Sequence, residues 1–192
     1  MIKQFGMIID QERCIGCEAC SVACRIENNT LLFYINVETQ GGDNKDTPGG
    51  KFPDLYLKFL PKLCNHCKNP PCVDSCPVNA ITKQDNGIVF LDKNECTGCQ
   101  ACLTACPYGI IVFSDEKNIA EKCNFCSHRI EKGLEPFCVL CCEGQAMVFG
   151  DLNDPNSNLS KYIAQKNTFQ LKIEEKTNPS VYYSPPKPKR RI

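Results

Sequence analysis

Cysteine is the residue type whose number and spacing in this sequence could do chemistry. The chain has 17 cysteines among 192 residues, and 16 of them fall into four groups of four. The first and third groups are spaced C-x2-C-x2-C-x3-C, the second C-x2-C-x4-C-x3-C and the fourth C-x2-C-x11-C-x3-C. In chain order the groups are Cys14, Cys17, Cys20 and Cys24; Cys64, Cys67, Cys72 and Cys76; Cys96, Cys99, Cys102 and Cys106; and Cys123, Cys126, Cys138 and Cys142. Cys141 is left over.

The spacing of the first and third groups is typical of bacterial ferredoxins, which bind [4Fe–4S] clusters. Three closely spaced cysteines let a short loop hold three corners of the cube, and the fourth cysteine then falls in the first turn of a helix. In two-cluster ferredoxins this fourth cysteine ligates the other cluster. We therefore expect the groups to work in pairs, each lending its last thiolate to its partner.

Two other uses of cysteine fit the pattern less well. Disulfide scaffolds are typical of secreted chains under about 100 residues, whereas this chain is longer and its N-terminal residues carry no signal-peptide pattern. Zinc ribbons use two separated C-x2-C pairs, which leaves the repeated third and fourth cysteines unexplained. Metal content distinguishes these alternatives.

The composition argues against nucleic acid as a partner. Lys+Arg and Asp+Glu are 22 each, so the formal net charge is zero, and phosphate binding needs a basic surplus. No apolar run approaches the roughly 18 residues of a membrane helix. The N-terminal residues show neither a signal-peptide core nor a twin-Arg pair. We expect a chain without a transmembrane segment or a signal of its own.

An internal repeat divides the chain. Residues 10–24 align with residues 92–106 at eight identical positions of fifteen. The second and third groups are joined through Asn86-Gly87 between two apolar stretches, which is a strong hairpin signal. The apolar residues 110–113 predict another strand. Residues 60–113 therefore have the features of a complete ferredoxin module with two clusters.

The first and fourth groups must then form a second module, into which the first is inserted. This predicts an α+β fold of two ferredoxin-like modules, with Val148-Phe149 forming a strand that pairs with Ile8-Ile9. The expected units are an outer module (1–30 with 114–152), an excursion (31–59), an inner module (60–113) and a C-terminal extension with a basic tail (153–192).

Further elements are expected at the edges of these modules. Strands are predicted at 33–39 and 55–60, with a Gly-rich surface turn at 41–50 between them. A turn at 153–156 precedes a short helix at 157–164. Beyond residue 174 the chain is polar and Pro-rich, and we expect it to be extended.

The four groups, in this order, resemble the four-cluster electron-transfer subunit of molybdopterin oxidoreductases of the dimethyl sulfoxide reductase family. The resemblance covers roughly residues 5–160 and is greatest to the subunits of polysulfide, thiosulfate and respiratory arsenate reductases. The stretches that carry it are Cys14-Ile15-Gly16-Cys17, Cys64-Asn65-His66-Cys67, Asn69-Pro70-Pro71-Cys72, Cys96-Thr97-Gly98-Cys99, Cys123-Asn124-Phe125-Cys126, His128-Arg129 and Phe149-Gly150-Asp151.

The resemblance implies four [4Fe–4S] clusters with crossed ligands. Carried over, the sets are Cys14, Cys17, Cys20 and Cys142 (cluster 1); Cys24, Cys123, Cys126 and Cys138 (cluster 2); Cys64, Cys67, Cys72 and Cys106 (cluster 3); and Cys76, Cys96, Cys99 and Cys102 (cluster 4). The fourth group departs from the family pattern, because Cys142 is followed by Glu143 where relatives usually have Pro. The neighbouring Cys141 is therefore an alternative ligand to Cys142.

Few other residues could take part in chemistry. His66 and His128 each lie inside a cysteine loop, where we expect hydrogen bonding or surface exposure rather than metal ligation. Lys122 and Arg129 flank the fourth group, and their charges could raise a cluster's potential; solvated surface charges are the alternative. The basic residues 187–191 could dock on an acidic partner or anionic lipid, or form a solvated end.

The expected function is electron conduction, without a catalytic site and without a directly bound organic substrate. By resemblance, one end of the cluster chain meets a molybdopterin catalytic subunit containing molybdenum or tungsten, and the other meets a quinone-reactive membrane anchor or a soluble carrier. Membrane association through partners is then expected, in the cytoplasm or after co-export with a twin-Arg partner. The alternative is a free cytoplasmic polyferredoxin.

Overall fold

Short strands and short helices alternate along the chain in an α+β arrangement. The structure is a computed structural model that describes residues 2–44 and 47–186. The strands are β1 (Phe5–Asp10), β2 (Asn36–Gln40), β3 (Lys58–Lys62), β4 (Ile81–Lys83), β5 (Val89–Leu91), β6 (Val112–Ser114), β7 (Ile119–Glu121), β8 (Met147–Asp151) and β9 (Val181–Ser184). The helices are α1 (Ala19–Glu27), α2 (Pro71–Asp74), α3 (Ala101–Ala105), α4 (Ser127–Ile130), α5 (Phe137–Leu140) and α6 (Asn158–Gln165), with a 3-10 turn at Ile173–Glu175.

A three-stranded sheet with β1 in the middle joins distant parts of the sequence. β8 pairs antiparallel with β1, so that Ile8 lies opposite Val148. This confirms the pairing predicted for Val148-Phe149. β9 runs parallel to β1 on the other side, with Ile8 opposite Tyr182. The sequence predicts only an extended chain beyond residue 174, so the third strand of this sheet is a new finding.

Three hairpins complete the strand content of the described residues. β4 and β5 pair across the Asn86-Gly87 turn, where Gly87 has a φ of +84°, and this confirms the hairpin predicted there. β6 pairs with β7, and β2 pairs with β3.

The strands predicted at 33–39 and 55–60 are β2 and β3, which each begin three residues further along and end one and two residues further along, respectively. The reason for the shift is that Tyr34 and Ile35 are buried in the core without being paired in a ladder. The described part of the 41–50 segment consists of bends and turns closed by a bridge between Gly49 and Tyr56.

The predicted helix near residue 157 is α6, and its first turn is capped. Ser157 has extended backbone angles and its side chain accepts a hydrogen bond from the Ser160 amide at 3.0 Å. This is the geometry of an N-cap, which satisfies one of the free amides of the first turn. α6 packs on β8 and β1, and it buries Leu159 completely.

The core is built from aliphatic, aromatic and cysteine side chains together. One cluster contains Met7, Ile9 and Tyr183 of the central sheet with Cys24 and Cys123. α1 packs on α5, and α2 packs on α3. Helices from the first and fourth cysteine groups are thus in contact, as are helices from the second and third.

Within the described residues, no helix is both long enough and apolar enough to cross a membrane. The basic segment 187–191 lies outside those residues.

Candidate metal centres

The four C-x2-C loops share one backbone feature. The residue before the second cysteine has a left-handed φ in each: +69° at Gly16, +42° at His66, +73° at Gly98 and +54° at Phe125. Glycine adopts this conformation without strain, whereas it is unfavourable for other residues. The left-handed residue turns each loop back on itself, which brings both cysteines of the loop to one side.

The structure brings thiols of the first and fourth groups together. The Cys20 thiol lies beside those of Cys14, Cys142 and Cys141, and Cys14 also interacts with Cys17. In the same part of the molecule, Cys24 lies beside Cys126. The buried Cys138 thiol interacts with Cys123, Cys126 and Cys24.

Thiols of the second and third groups meet in the same crossed manner. Cys72 lies beside Cys64, Cys106 and Cys67. Cys102 interacts with Cys96 and Cys99 of its own group and with Cys76 of the other.

Burial and mutual repulsion of these thiols oppose their ionisation. Burial raises the pKa of Cys20, Cys24 and Cys72 to about 12, and neighbouring thiols add to the effect. The fully buried Cys123 and Cys138 have pKa values well above 9 for the same reasons. Thiolates at these positions therefore need a cationic group among them to be stable, because an uncompensated buried charge is costly.

Backbone amides already point at several of the sulfurs. The Ala146 amide donates to Cys142 Sγ at 3.2 Å, and the Ala120 amide donates to Cys96 Sγ at 3.4 Å. The Phe125 amide donates to Cys123 Sγ at 3.4 Å. Such donors stabilise negative charge on sulfur, so the loops are arranged to hold thiolates.

A single metal ion would require ligands that lie very close together. Zinc–sulfur bonds of about 2.3 Å in a tetrahedron place the sulfurs roughly 3.8 Å apart. Among residues 2–44 and 47–186, no three His, Cys, Asp or Glu side chains lie close enough to hold one metal ion.

Lys122 lies inside the protein where two cysteine groups meet. It is only 4% exposed, and its ammonium donates to the carbonyls of Val89 and Cys123. The same nitrogen is 3.8 Å from Cys64 Sγ. The Cys64 thiol also lies beside Cys123, so Lys122 is placed between the second and fourth groups. The alternative of a solvated charge is excluded for this residue.

Arg129 and His128 are nearer the surface and share an acidic partner. Arg129 Nη1 is 3.2 Å from Glu27 Oε2, and His128 Nε2 is 2.7 Å from Glu27 Oε1. Arg129 Nε also donates to the carbonyl of Glu135. Glu27 compensates the charge of the Arg129 guanidinium. The net positive charge that acts on the nearby Cys126 is therefore smaller than the charge of Lys122.

His66 is completely buried. Its Nδ1 accepts a hydrogen bond from the Val89 amide at 3.1 Å, and its ring stacks on Phe125 with centroids 3.7 Å apart. Burial lowers its pKa well below 6.5, and the nearby charges of Lys122 and Lys83 act in the same direction. The imidazole is therefore neutral at physiological pH.

The Cys141 and Cys142 sulfurs make different hydrogen bonds, although both lie near Cys20. The Cys141 thiol donates to the carbonyl of Ala19 at 3.5 Å and to that of Cys138 at 3.6 Å. The Cys142 sulfur instead accepts from Ala146. The Cys142 sulfur thus accepts from a backbone amide, whereas the Cys141 sulfur faces two carbonyl acceptors.

A buried acid near the cysteines was not predicted from the sequence. Glu121 is inaccessible to solvent, and its carboxylate accepts hydrogen bonds from Tyr34 and Thr30 and pairs with Lys93 at 3.2 Å. It links the segment around Thr30 and Tyr34 to the β6–β7 hairpin. Nothing in the spacing of Glu121 marks it, because its partners lie up to 91 residues away.

Comparison with known proteins agrees with this geometry. Residues 55–152 match a 4Fe-4S dicluster domain family, and residues 7–27 match a 4Fe-4S binding domain family. The fold and the site thus define an iron–sulfur protein of the ferredoxin type.

Three relatives cover almost the whole chain. The chain is 46% identical over 95% of its length to a protein of Halobacterium salinarum named as a dimethyl sulfoxide reductase iron–sulfur subunit, and it spans 79% of that protein. It is 40% identical over 94% of its length to a tetrathionate reductase subunit of Salmonella typhimurium, spanning 72%. It is 36% identical over 94% of its length to the arsenate respiratory reductase iron–sulfur subunit of a Shewanella species, spanning 95%.

The chain belongs to the iron–sulfur subunits of the dimethyl sulfoxide reductase family. The predicted resemblance is confirmed, and so is the expected role: members are electron-carrying rather than catalytic subunits of reductase complexes.

Proposed function

We propose that the chain carries four [4Fe–4S] clusters that conduct single electrons between a molybdopterin catalytic subunit and a quinone-reactive membrane anchor or soluble carrier. The number of clusters is inferred from contacts between thiols of different groups. Thiols of the first group meet those of the fourth, and thiols of the second group meet those of the third. We infer that sixteen cysteines form four sets of four and that each set draws its fourth member from the other group of its pair. The neighbours of the buried thiols of Cys20, Cys138, Cys72 and Cys102 support this inference.

The ligand sets we assign are those implied by the family resemblance. They are Cys14, Cys17, Cys20 and Cys142; Cys24, Cys123, Cys126 and Cys138; Cys64, Cys67, Cys72 and Cys106; and Cys76, Cys96, Cys99 and Cys102. The neighbours of each buried thiol support these sets, and the Ala146 amide on Cys142 supports Cys142 over Cys141. When bound, each cluster supplies a site that accepts and releases one electron.

The order of the four sets along the path follows from two observations. Cys123 of the second set lies beside Cys64 of the third, so these two sets adjoin at the junction of the modules. Cys17 of the first set and Cys99 of the fourth are the cysteines that are exposed among the 17. We infer a path from the first set through the second and third to the fourth, with an electron entering or leaving at each exposed end.

The chain's own residues prepare this path electrostatically. Amides on the sulfurs and the buried Lys122 favour the reduced, more negative state, which raises the potential of a nearby cluster. Arg129 also raises the potential at the second set, but its effect is smaller because it forms an ion pair with Glu27.

The nested arrangement is part of the proposal. Residues 60–113 form an inner module inserted in an outer one made of 1–30 and 114–152. The excursion 31–59 and the extension 153–192 complete the chain. The pairing of β1 with β8 and the helix contacts α1–α5 and α2–α3 support this division.

Metal analysis of the protein purified anaerobically from its native host tests the function. About sixteen iron per chain with near-stoichiometric molybdenum or tungsten supports the proposal. The same iron content without either metal, in a preparation shown to be undissociated by cross-linking before lysis, supports a free carrier instead. About four zinc and little iron would refute electron transfer.

The place of action is inferred from partners. We propose that the chain reaches a membrane through its complex, in the cytoplasm or after export with a twin-Arg partner. Fractionation of cells with and without the catalytic subunit decides this, since loss of membrane-bound chain in the mutant is the expected result.

A further inference from the structure

The loops of the second and fourth cysteine groups touch through aromatic rings. His66 and Phe125 occupy the same position in their C-x2-C loops, the position that is glycine in the other two loops. Both keep the left-handed φ that glycine would adopt without strain. Their rings stack at 3.7 Å between centroids and 26° between planes, and both are buried. The ring contact compensates for a backbone conformation that is unfavourable for these residues.

The hydrogen bonds of His66 fix the position of its proton. Nδ1 accepts from the Val89 amide, so the neutral ring carries its hydrogen on Nε2. Nε2 is buried and has no partner in the protein. Within the described residues, five buried side-chain nitrogen or oxygen atoms lack a partner, and three of them belong to Asn65 and His66.

An unpaired N–H donor in the interior is costly, so an acceptor is expected opposite it. Groups near this loop include the sulfurs of Cys64 and Cys123 and the ammonium groups of Lys122 and Lys83, which are donors themselves. Sulfur atoms of an iron–sulfur cluster are acceptors of N–H hydrogen bonds. The orphaned donor therefore fits the group that the cysteine sets would hold.

We propose that His66 is a positioning residue for the electron step between the two modules. Its Nε2–H donates to a sulfur of the cluster held by the Cys64 loop, and its ring, stacked on Phe125, holds that loop against the Cys123 loop. The inference rests on the proposed function. The hydrogen bond stabilises the reduced state, so this cluster has a higher potential than it would have without it.

Two substitutions separate the donor from the ring. His66→Phe removes the N–H but keeps a ring, and Phe125 shows that this loop position accepts phenylalanine with a left-handed φ. His66→Gln keeps an N–H donor and removes the ring. His128→Phe is the matched control, because His128 is the other histidine of the chain and lies near the surface bound to Glu27.

The experiment is an EPR-monitored redox titration of the full-length chain purified anaerobically, with iron counted in each sample. In His66→Phe we expect the equilibrium constant for reduction of one cluster to fall about tenfold, which lowers its midpoint potential by about 59 mV for a one-electron couple. The potentials of the other clusters should be unchanged. His66→Gln should retain most of the native potential. His128→Phe should match the native protein.

Pulsed EPR on the reduced protein labelled with ¹⁵N-histidine supplies a readout that does not depend on the His66 variants folding. In the His128→Phe background, His66 is the remaining histidine, and a ¹⁵N coupling to a reduced cluster is expected. Absence of that coupling, or equal potential shifts in His66→Phe and His66→Gln, overturns the assignment. A native chain without iron–sulfur EPR signals would refute the proposed function instead.

Discussion

Replacing Lys122 with methionine should lower the potential of the cluster nearest to Cys64. Lys122 is 4% exposed, and its Nζ lies 3.8 Å from Cys64 Sγ. Methionine has a similar length without the charge. The substitution therefore removes a positive charge from the junction of the second and fourth cysteine groups while leaving the volume of the core nearly unchanged.

The magnitude follows from Coulomb's law. Two unit charges 3.8 Å apart interact by about 4 kcal/mol at an effective dielectric constant of about 20. An electron added to the cluster is shared, so roughly a quarter of its charge is assigned to one of four thiolate corners. The lost stabilisation is then about 1 kcal/mol, which corresponds to about 50 mV for one electron.

The assay is a redox titration followed by EPR in the anaerobic holoprotein. Lys122→Arg is the charge-keeping control, and Lys132→Met removes an exposed lysine from the same region. We expect a fall of about 50 mV in one or two clusters of Lys122→Met and almost no change in either control. If Lys122→Met retains all its iron and every midpoint stays within about 10 mV of the native value, the assigned electrostatic role of Lys122 is wrong.

Three further changes test other parts of the structure. Asp10→Ala removes a buried carboxylate that accepts from Ser184 Oγ at 2.8 Å; we expect about 3 kcal/mol less stability, measured by anaerobic thermal unfolding, with Asp10→Asn intermediate. Cys142→Ser should lose iron while Cys141→Ser keeps the native content, and the reverse result would make Cys141 the ligand. Tyr183→Phe removes one buried hydrogen bond to a backbone carbonyl and should cost about 1 kcal/mol in the same assay, whereas an unchanged midpoint would contradict that bond.

Local sequence signals predicted the parts of the fold that depend on neighbouring residues. The β4–β5 hairpin followed from Asn86-Gly87 between apolar stretches, and α6 followed from the turn at 153–156 that precedes it. The β1–β8 pairing was predicted from the order of the cysteine groups rather than from local pattern. β9 was not predicted, because its four residues lie in a polar, Pro-rich segment and its burial depends on a strand at the other end of the chain.

The candidate site was predictable where cysteine spacing carries the information. The crossed ligand sets were implied by the family resemblance, and the neighbours of Cys20, Cys72 and Cys102 are consistent with them. The contact between His66 and Phe125 was not predicted, although a signal existed: both replace a glycine of the equivalent loops. Whether two such rings meet depends on how the loops pack together, and the spacing of residues in the sequence does not contain that information.

The central position of β1 has a consequence for biosynthesis. Its two partner strands begin at Met147 and Val181. The first strand of the chain is therefore among the last to obtain its pairing partners. At about 5–20 residues per second, the ribosome needs roughly 7–30 s to deliver β8 after β1. Under the proposed ligand sets, Cys14, Cys17 and Cys20 wait for Cys142 during this time, whereas the second and third groups are complete once Cys106 has been synthesised. We expect iron to be inserted first in the middle of the chain, and the N-terminal cysteines to be the ones most open to oxidation before assembly ends.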